Sequence, residues 1–510
     1  MPNRQNDILH QLISSLSKAE KRNFKLYINR NSGEKDLKVT ALFDAIGQQP
    51  AYDEQRLLKK LKAINKSQLA NMKSHLYKQV LASLRSLRSS QSIELVMNEQ
   101  MDHARILYNK GLYHQSLKTL ERVKEMAKSY HQNTFLIQVI SFEKKIETLY
   151  ITRSLQNRAD QLSEESLMVN KRREIITGLS NLALQLYSWY IKRGHARNED
   201  EEQEVKTFFF RVLPKDYLTF TGFYERLYIY QAFCWYAYIR QDFKMYYRYT
   251  QKWVDLFTEM PQMLEVETLH YVKGMHNLLN ALFDVRRHQK LAATIKNFEL
   301  FFNQHPSQDF ENVRIQTFVY LSSAQLNQHI LMGTFDEGLR LLPDIQNQLK
   351  EYNNYIDRHR ILVLNYKIAM MYFGAGDYET CIDYLQKIIN EPVDLRIDLH
   401  CYARLLHLIS HYELGNTSLV DYQTKSVYRF MARLKRYSFI EEEIFRFLRS
   451  AFHVHRSEMK KQFELLLSKL LEYENKPTES RTFAYLDIIS WLQSKIRGVS
   501  MAQVLREKRK

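Results

Sequence analysis

Tyr372-Phe373-Gly374-Ala375-Gly376-Asp377-Tyr378-Glu379-Thr380-Cys381 places a glycine, Gly376, two residues before an aromatic and five before a small side chain, and then leads into an apolar helical run through Leu385 and Ile388. Glycine tolerates the positive φ that ends a helix in a tight reversal, and the aromatic fills the gap between the helix that stops and the one that starts. The same pattern recurs at Gly111, Tyr113 and Ser116, and at Gly333, Phe335 and Gly338. Gln241-Asp242-Phe243 keeps the aromatic without the glycine, whereas Gly194 and Gly415 keep the glycine without the aromatic. With degenerate anchors near Ser154, His288 and Arg456, the series 111, 154, 194, 241, 288, 333, 376, 415, 456 advances by 39 to 47 residues. Prolines supply an independent phase, because proline sits just beyond helices that it cannot continue. Pro214, Pro261, Pro306, Pro392 and Pro477 follow successive anchors by 16 to 21 residues, and Pro343 alone falls inside an expected helix, as a kink or an early restart.

Composition leads to the same architecture. The 510 residues hold only 13 Gly and 8 Pro, about a third of ordinary usage. That is too few for the many reversals of a sandwich, a barrel or a doubly wound sheet, so the expected fold class is all-α. At 45% hydrophobic and 26% charged the chain has the material for a core. A single helix pair cannot bury its apolar face, so neighbouring pairs stack into an α-solenoid, a right-handed superhelix with a continuous core.

The unit resembles a tetratricopeptide repeat (TPR). Ala369, Tyr372, Gly376, Tyr378, Cys381, Leu385, Ile388 and Pro392 stand where that family has small, aromatic, glycine, aromatic, small, large apolar, small and proline positions. Leu326, Gly333, Phe335, Gly338, Leu342 and Ile345 match less fully, as do Ala104, Gly111, Tyr113, Ser116, Leu120 and Val123. The period departs from the family's 34 residues, and Cys381, Ile388, Val123 and Trp253 replace its usual alanines, so HEAT-like pairs of ~40–47 residues are a competing description. The resemblance implies about 8–9 TPR-like repeats of roughly 40–45 residues. They would form an array over residues 91–477, followed by a capping helix from Thr482 to Ile496 and a frayed basic tail, Arg506 to Lys510, within 478–510. It also implies a concave surface lined by the first helix of each pair. In the units anchored at 111, 241, 333 and 415 that surface includes Arg105, Tyr108, Tyr228, Trp235, Tyr238, Tyr320, Asn327, Tyr402 and Tyr412. Rigid aromatics with amide and guanidinium donors suit a peptide or other extended chain, and the same tyrosines also fit mutual packing in a core.

Residues 1–90 fall outside this register and read as a basic helical module. They carry 17 Lys/Arg against 7 Asp/Glu, or +10 of the total +17. Ser17 and Glu20 form a capping box for a helix that runs to Ile28, with Phe24, Tyr27 and Ile28 on one face and Lys18, Lys21, Arg22 and Lys25 largely off it. Lys59, Lys60 and Lys62 form a second basic run. These cations read either as a solvated helical face or as phosphate contacts of a nucleic-acid-binding module, in which Asp53 to Leu87 would resemble a helix-turn-helix.

Signatures of catalysis are missing. The sequence has no GxxxxGK[ST], GxSxG, HExxH or CxxC, so neither cofactor nor metal is expected. His453 and His455 are two apart, which separates them on a helix, and the acidic run Glu199-Asp200-Glu201-Glu202-Gln203-Glu204 lacks the spacing and glycine of a calcium loop. Cys234, Cys381 and Cys401 are too scattered for a disulfide framework, the opening residues lack a secretory apolar core, and Tyr228–Ile239 is too short to span a bilayer, so a cytoplasmic location is expected. The expected function is a non-enzymatic scaffold that captures a protein or peptide on its concave face. The alternatives are a nucleic-acid-associated regulator working through residues 1–90 and an enzyme with an unfamiliar site.

Overall fold

The computed structural model describes residues 7–508 apart from 31–35, 62–63, 89–91, 150–156, 197, 306–309, 353–354, 435–438, 452–453, 456, 474–482 and 484–485. Helix predominates among the described residues, with no strand among them. The chain divides into two compact units, Met1–Leu167 and Met168–Lys510.

In the first unit, α1 (Ile8–Ser15), α2 (Lys18–Arg30), α3 (Asp36–Gly47), α4 (Glu54–Lys60) and α5 (Lys66–Arg88) enclose a core of Ile13, Phe24, Leu42, Ile46 and Leu76. The boundary expected at residue 90 lies inside this unit, although the core formed by residues 9 to 84 is their own. The capping box at Ser17 is present: Glu20 N–H donates to Ser17 Oγ at 3.2 Å, and Ser17 N–H donates to Glu20 Oε2 at 2.9 Å. The helices α6 (Ile93–Asn109), α7 (Tyr113–Ser129) and α8 (Asn133–Glu147) then pack in chain order, and α9 (Arg158–Arg193) contains the division between the units. Within the first unit the Lys124 ammonium donates to Glu143 at 2.6 Å and to Glu165 at 2.7 Å, and Arg158 donates to Glu143 at 3.0 Å.

The second unit continues with α10 (Glu199–Val212), α11 (Phe223–Ile239), α12 (Phe243–Glu259), α13 (Met263–Val266), α14 (Thr268–Asp284), α15 (His288–Gln304), α16 (Glu311–Met332), α17 (Phe335–Leu339) and α18 (Leu342–Glu351). There follow α19 (Arg358–Ala375), α20 (Tyr378–Ile389), α21 (Ile397–Glu413), α22 (Thr417–Arg433), α23 (Phe439–Ser450), α24 (Met459–Leu471), α25 (Ile488–Arg497) and α26 (Met501–Lys508). Most pack on their chain neighbours, while α14, α16, α19 and α21 also touch one another in succession.

One turn construction recurs. Among the described residues, seven helices end in a residue with positive φ placed two before the next helix: Gly111, His131, Gln241, Arg286, Gly333, Gly376 and Gly415. In each, the following N–H reaches back five residues to a carbonyl, as in Leu112 to Leu107, Asp242 to Ala237 and Asp377 to Tyr372, at 2.9 to 3.0 Å. This is the Schellman bond that satisfies an orphaned helix-end carbonyl. In four of the seven the next helix opens with the aromatic of the sequence pattern, Tyr113, Phe243, Phe335 or Tyr378; in the other three it opens with Asn133, His288 or Thr417.

Four expectations need correction. The anchor placed at His288 belongs to Arg286, and His288 instead opens α15. Gly194 ends α9 at φ +76 but leads into a loop rather than a tight reversal, because α10 starts only at Glu199. Pro343 marks a restart: α17 stops at Leu339, and α18 begins with the proline in its first turn, where no N–H is needed. The basic tail is helical at least to Lys508, with Arg497 paired to Glu507 at 2.5 Å and Lys508 donating to Ser490 at 2.9 Å. Ser154, Arg456, Pro306, Pro477 and His453 lie outside the described residues.

The last helix is held at Gly333. A Cβ built on this residue would lie 2.8 Å from both Ala502 O and Leu505 Cβ, whereas one built on Gly376 would meet nothing within 4 Å. Both residues have positive φ, which costs alanine roughly 1 kcal/mol. Gly333→Ala is therefore expected to lose about 2 kcal/mol more than Gly376→Ala in urea unfolding, because only the first displaces α26.

Candidate ligand-binding cavity

Six helices of the second unit turn polar and aromatic side chains toward one cavity of about 900 Å³. Helical spacing explains the lining: Lys273, His276, Asn277, Asn280 and Asp284 share a face of α14, Gln316, Tyr320, Ser323 and Asn327 share a face of α16, and Arg360, Val363 and Lys367 share one of α19.

One end is aromatic. Trp235 of α11 lies 4.8 Å from Tyr187 and 5.8 Å from Tyr190, centroid to centroid, and Tyr238 lies 5.1 Å from Tyr190 and 4.7 Å from Tyr246. The His195 ring, buried beside them, forms a 2.7 Å hydrogen bond with Tyr238 O through Nδ1.

Basic side chains adjoin this aromatic group. Tyr320 stacks on the His276 ring at 4.0 Å, and its hydroxyl accepts from Arg360 at 3.2 Å. Arg360 also pairs with Asp357, and Lys367 donates to Ser323 Oγ. Lys273 has no carboxylate within ion-pair distance among the described residues, and its ammonium lies 5.1 Å above the Tyr187 ring. Burial, aided by the charges of Lys367, Arg360, His359 and Lys273, pushes the His276 ring well below its ordinary range.

Burial also moves Asp284 up to about 7 and Lys367 down to about 7, each opposed by the other's charge, yet no ion pair joins them. These groups lie deep among the helices but are only half-buried by accessible surface, because the surface they expose faces the cavity. Several polar groups there lack a partner. Asp284 Oδ2 and His359 Nδ1 have none, and the Asn327 carboxamide, 4% exposed and facing the cavity, has none among the described residues.

Of the nine expected concave-face residues, the structure brings together Trp235, Tyr238, Tyr320 and Asn327. Tyr228 sits outside the cavity, against Tyr224 and His270. Tyr402 is fully buried and donates to Glu441 at 3.1 Å, and Tyr412 packs on Phe447 and Trp491. Arg105 and Tyr108 belong to the first unit, where Arg105 pairs with Asp102 at 2.8 Å and Tyr108 packs on Phe142. Lys273, His276, Asp284, Arg360 and Lys367 went unpredicted because α14 and α19 belong to the units anchored near 288 and at 376, whose inner faces were not read out. Extending the i, i+3, i+4 spacing to those helices finds them.

Among the expected phosphate contacts, Lys18, Arg22, Lys25, Lys59 and Lys60 are exposed and Lys21 is half-buried, while Lys62 lies outside the described residues. Lys25 is committed to Asp44 at 2.8 Å and Lys60 to Gln48 at 2.5 Å. The acidic run at 199–204 forms the first turns of α10, where the helix dipole favours carboxylates and Asn198 caps Glu201 N–H at 2.9 Å. His455 is exposed and bonded to Ser457, and no cluster of metal-ligating side chains occurs among the described residues. No described helix is long and apolar enough to cross a membrane. Compared with models of protein families and with curated protein sequences, the chain gives no match.

Proposed function

We propose that this protein is a non-enzymatic, TPR-like helical-repeat scaffold of the cytoplasm, a right-handed solenoid of about 8–9 units whose inner face captures a segment of a partner protein. The observation that supports this reading most directly is that Trp235, Tyr238, Tyr320 and Asn327, expected on the inner face from repeat position alone, line one cavity. Rigid rings supply contact area at low entropy cost, and the Asn327 amide offers one donor and one acceptor group, the pairing a peptide backbone satisfies.

Immobilised pools of random hexapeptides test this reading. The protein is expected to be retained, and Tyr238→Leu and Asn327→Leu to weaken retention about tenfold with the helical circular dichroism signal unchanged. Retention by no pool, or equal retention of both variants, overturns it.

A further inference from the structure

Any ligand of the cavity must answer two observations: three cations line it, and polar groups there have no protein partner. Lys273 of α14 and Arg360 and Lys367 of α19 all face this cavity: Arg360 lies over the Tyr320 ring that stacks on His276, Lys367 donates to Ser323 one turn along from Tyr320, and Lys273 lies over Tyr187, with all three charges acting on His276. The nearby carboxylates do not neutralise them fully. Asp357 is taken by Arg360, Asp284 forms no ion pair with Lys367, and Lys273 has no carboxylate in ion-pair reach among the described residues, its ammonium lying over the Tyr187 ring. An ammonium partly withdrawn from water without a counter-ion is costly, and a ligand that brings the anion recovers that cost.

Resting on the peptide-binding reading above, we infer that the captured segment is acidic, with an aspartate or glutamate side chain received between Lys273, Arg360 and Lys367 and its neighbouring residues laid on the Trp235–Tyr238 aromatic end. A nucleic acid fits less well. Its evenly spaced phosphates call for a row of cations along the strand, whereas the three cations here share one cavity with amide, carboxylate and aromatic side chains. The unpartnered Asn327 amide faces the same cavity from α16, one turn from Ser323, and suits a peptide group rather than a second charge.

The test uses the full chain and three hexapeptide pools, acetylated and amidated at their ends, whose two central positions are Asp/Glu, Asn/Gln or Lys/Arg, together with hexathymidylate. In calorimetric titrations at low salt the acidic pool is expected to bind at least about tenfold more tightly than the neutral one, with no detectable binding of the basic pool. The preference should weaken with added salt and disappear in Lys273→Met and in Lys367→Met. Lys273→Glu supplies the reversed case, in which the basic pool gains. Equal binding of the acidic and neutral pools overturns this inference and leaves peptide capture intact. Binding of none of the three peptide pools overturns peptide capture itself, and with it this inference. Tighter binding of hexathymidylate than of the acidic pool overturns the inference in favour of a nucleic acid.

Discussion

Lys124→Met is expected to destabilise the first unit by about 3 kcal/mol, because breaking a buried ion network leaves the remaining charges uncompensated. The lysine is only 3% exposed, and it holds Glu143 and Glu165 at 2.6 and 2.7 Å. The carboxylates keep some support, since Arg158 reaches Glu143 at 3.0 Å and Lys128 reaches Glu165 at 3.2 Å, so the cost falls at the lower end of the usual range. Replacing Lys124, Glu143 and Glu165 together by Met, Leu and Leu should return much of the loss. The measurement exploits the four tryptophans, Trp189, Trp235, Trp253 and Trp491, all of which lie in the second unit. In urea, Lys124→Met should shift the ellipticity transition while leaving tryptophan emission unmoved. A matching shift in emission would show that the two units unfold as one.

Lys367, which faces the cavity, behaves in the opposite way. Lys367→Met is expected to stabilise the second unit by about 2 kcal/mol at neutral pH. The wild-type ammonium has a hydroxyl for its partner and an aspartate out of ion-pair reach, and burial brings it down to about 7. That displacement alone corresponds to roughly 5 kcal/mol; water in the cavity and the bond lost by Ser323 reduce the net gain. The sign fixes the pH window. Below pH 7 both folded and unfolded chains hold the proton, and the full cost of burying the charge is present. Between pH 7 and about 10.4 the unfolded chain holds a proton that the folded chain has released, so wild-type stability rises and the advantage of the variant fades. Tryptophan emission in urea at pH 6, 8 and 10 should show the gap closing in that order. A constant gap, or a loss of stability at pH 6, would mean that Lys367 is held by partners as Lys124 is. A cationic side chain that weakens the empty protein and faces a cavity has the profile of a binding residue.

Helical class and most turn positions were legible in the sequence because glycine is the cheapest residue at positive φ. Gly111, Gly333, Gly376 and Gly415 all mark true reversals. Gln241 was found through its following aromatic, whereas His131 carries no glycine signal and went unnoticed, and Arg286 was displaced by two residues for the same reason. Tertiary packing there imposes a conformation that the local sequence does not favour. The site was legible by half. Periodicity identifies the side of a helix that faces inward but not whether space remains there: Tyr320 and Tyr402 occupy comparable positions, yet one borders a cavity and the other is sealed against Glu441 of α23. The decisive charges were invisible for a different reason. The charges acting on His276 come from residues more than ninety positions apart, brought together only by the stacking of α14, α16 and α19.

Leu505 of α26 lines the cavity together with residues as early as Tyr187, and its helix packs on α16 and α19. A wall supplied by so late a segment gives the site a time dimension. While the ribosome is still making residues beyond α25, Tyr187, Lys273 and Lys367 have already emerged, but the enclosure around them lacks one side. Domains fold progressively during synthesis, so partner capture in its final form waits for α26. A partner encountered during translation would meet an open trough instead of a chamber.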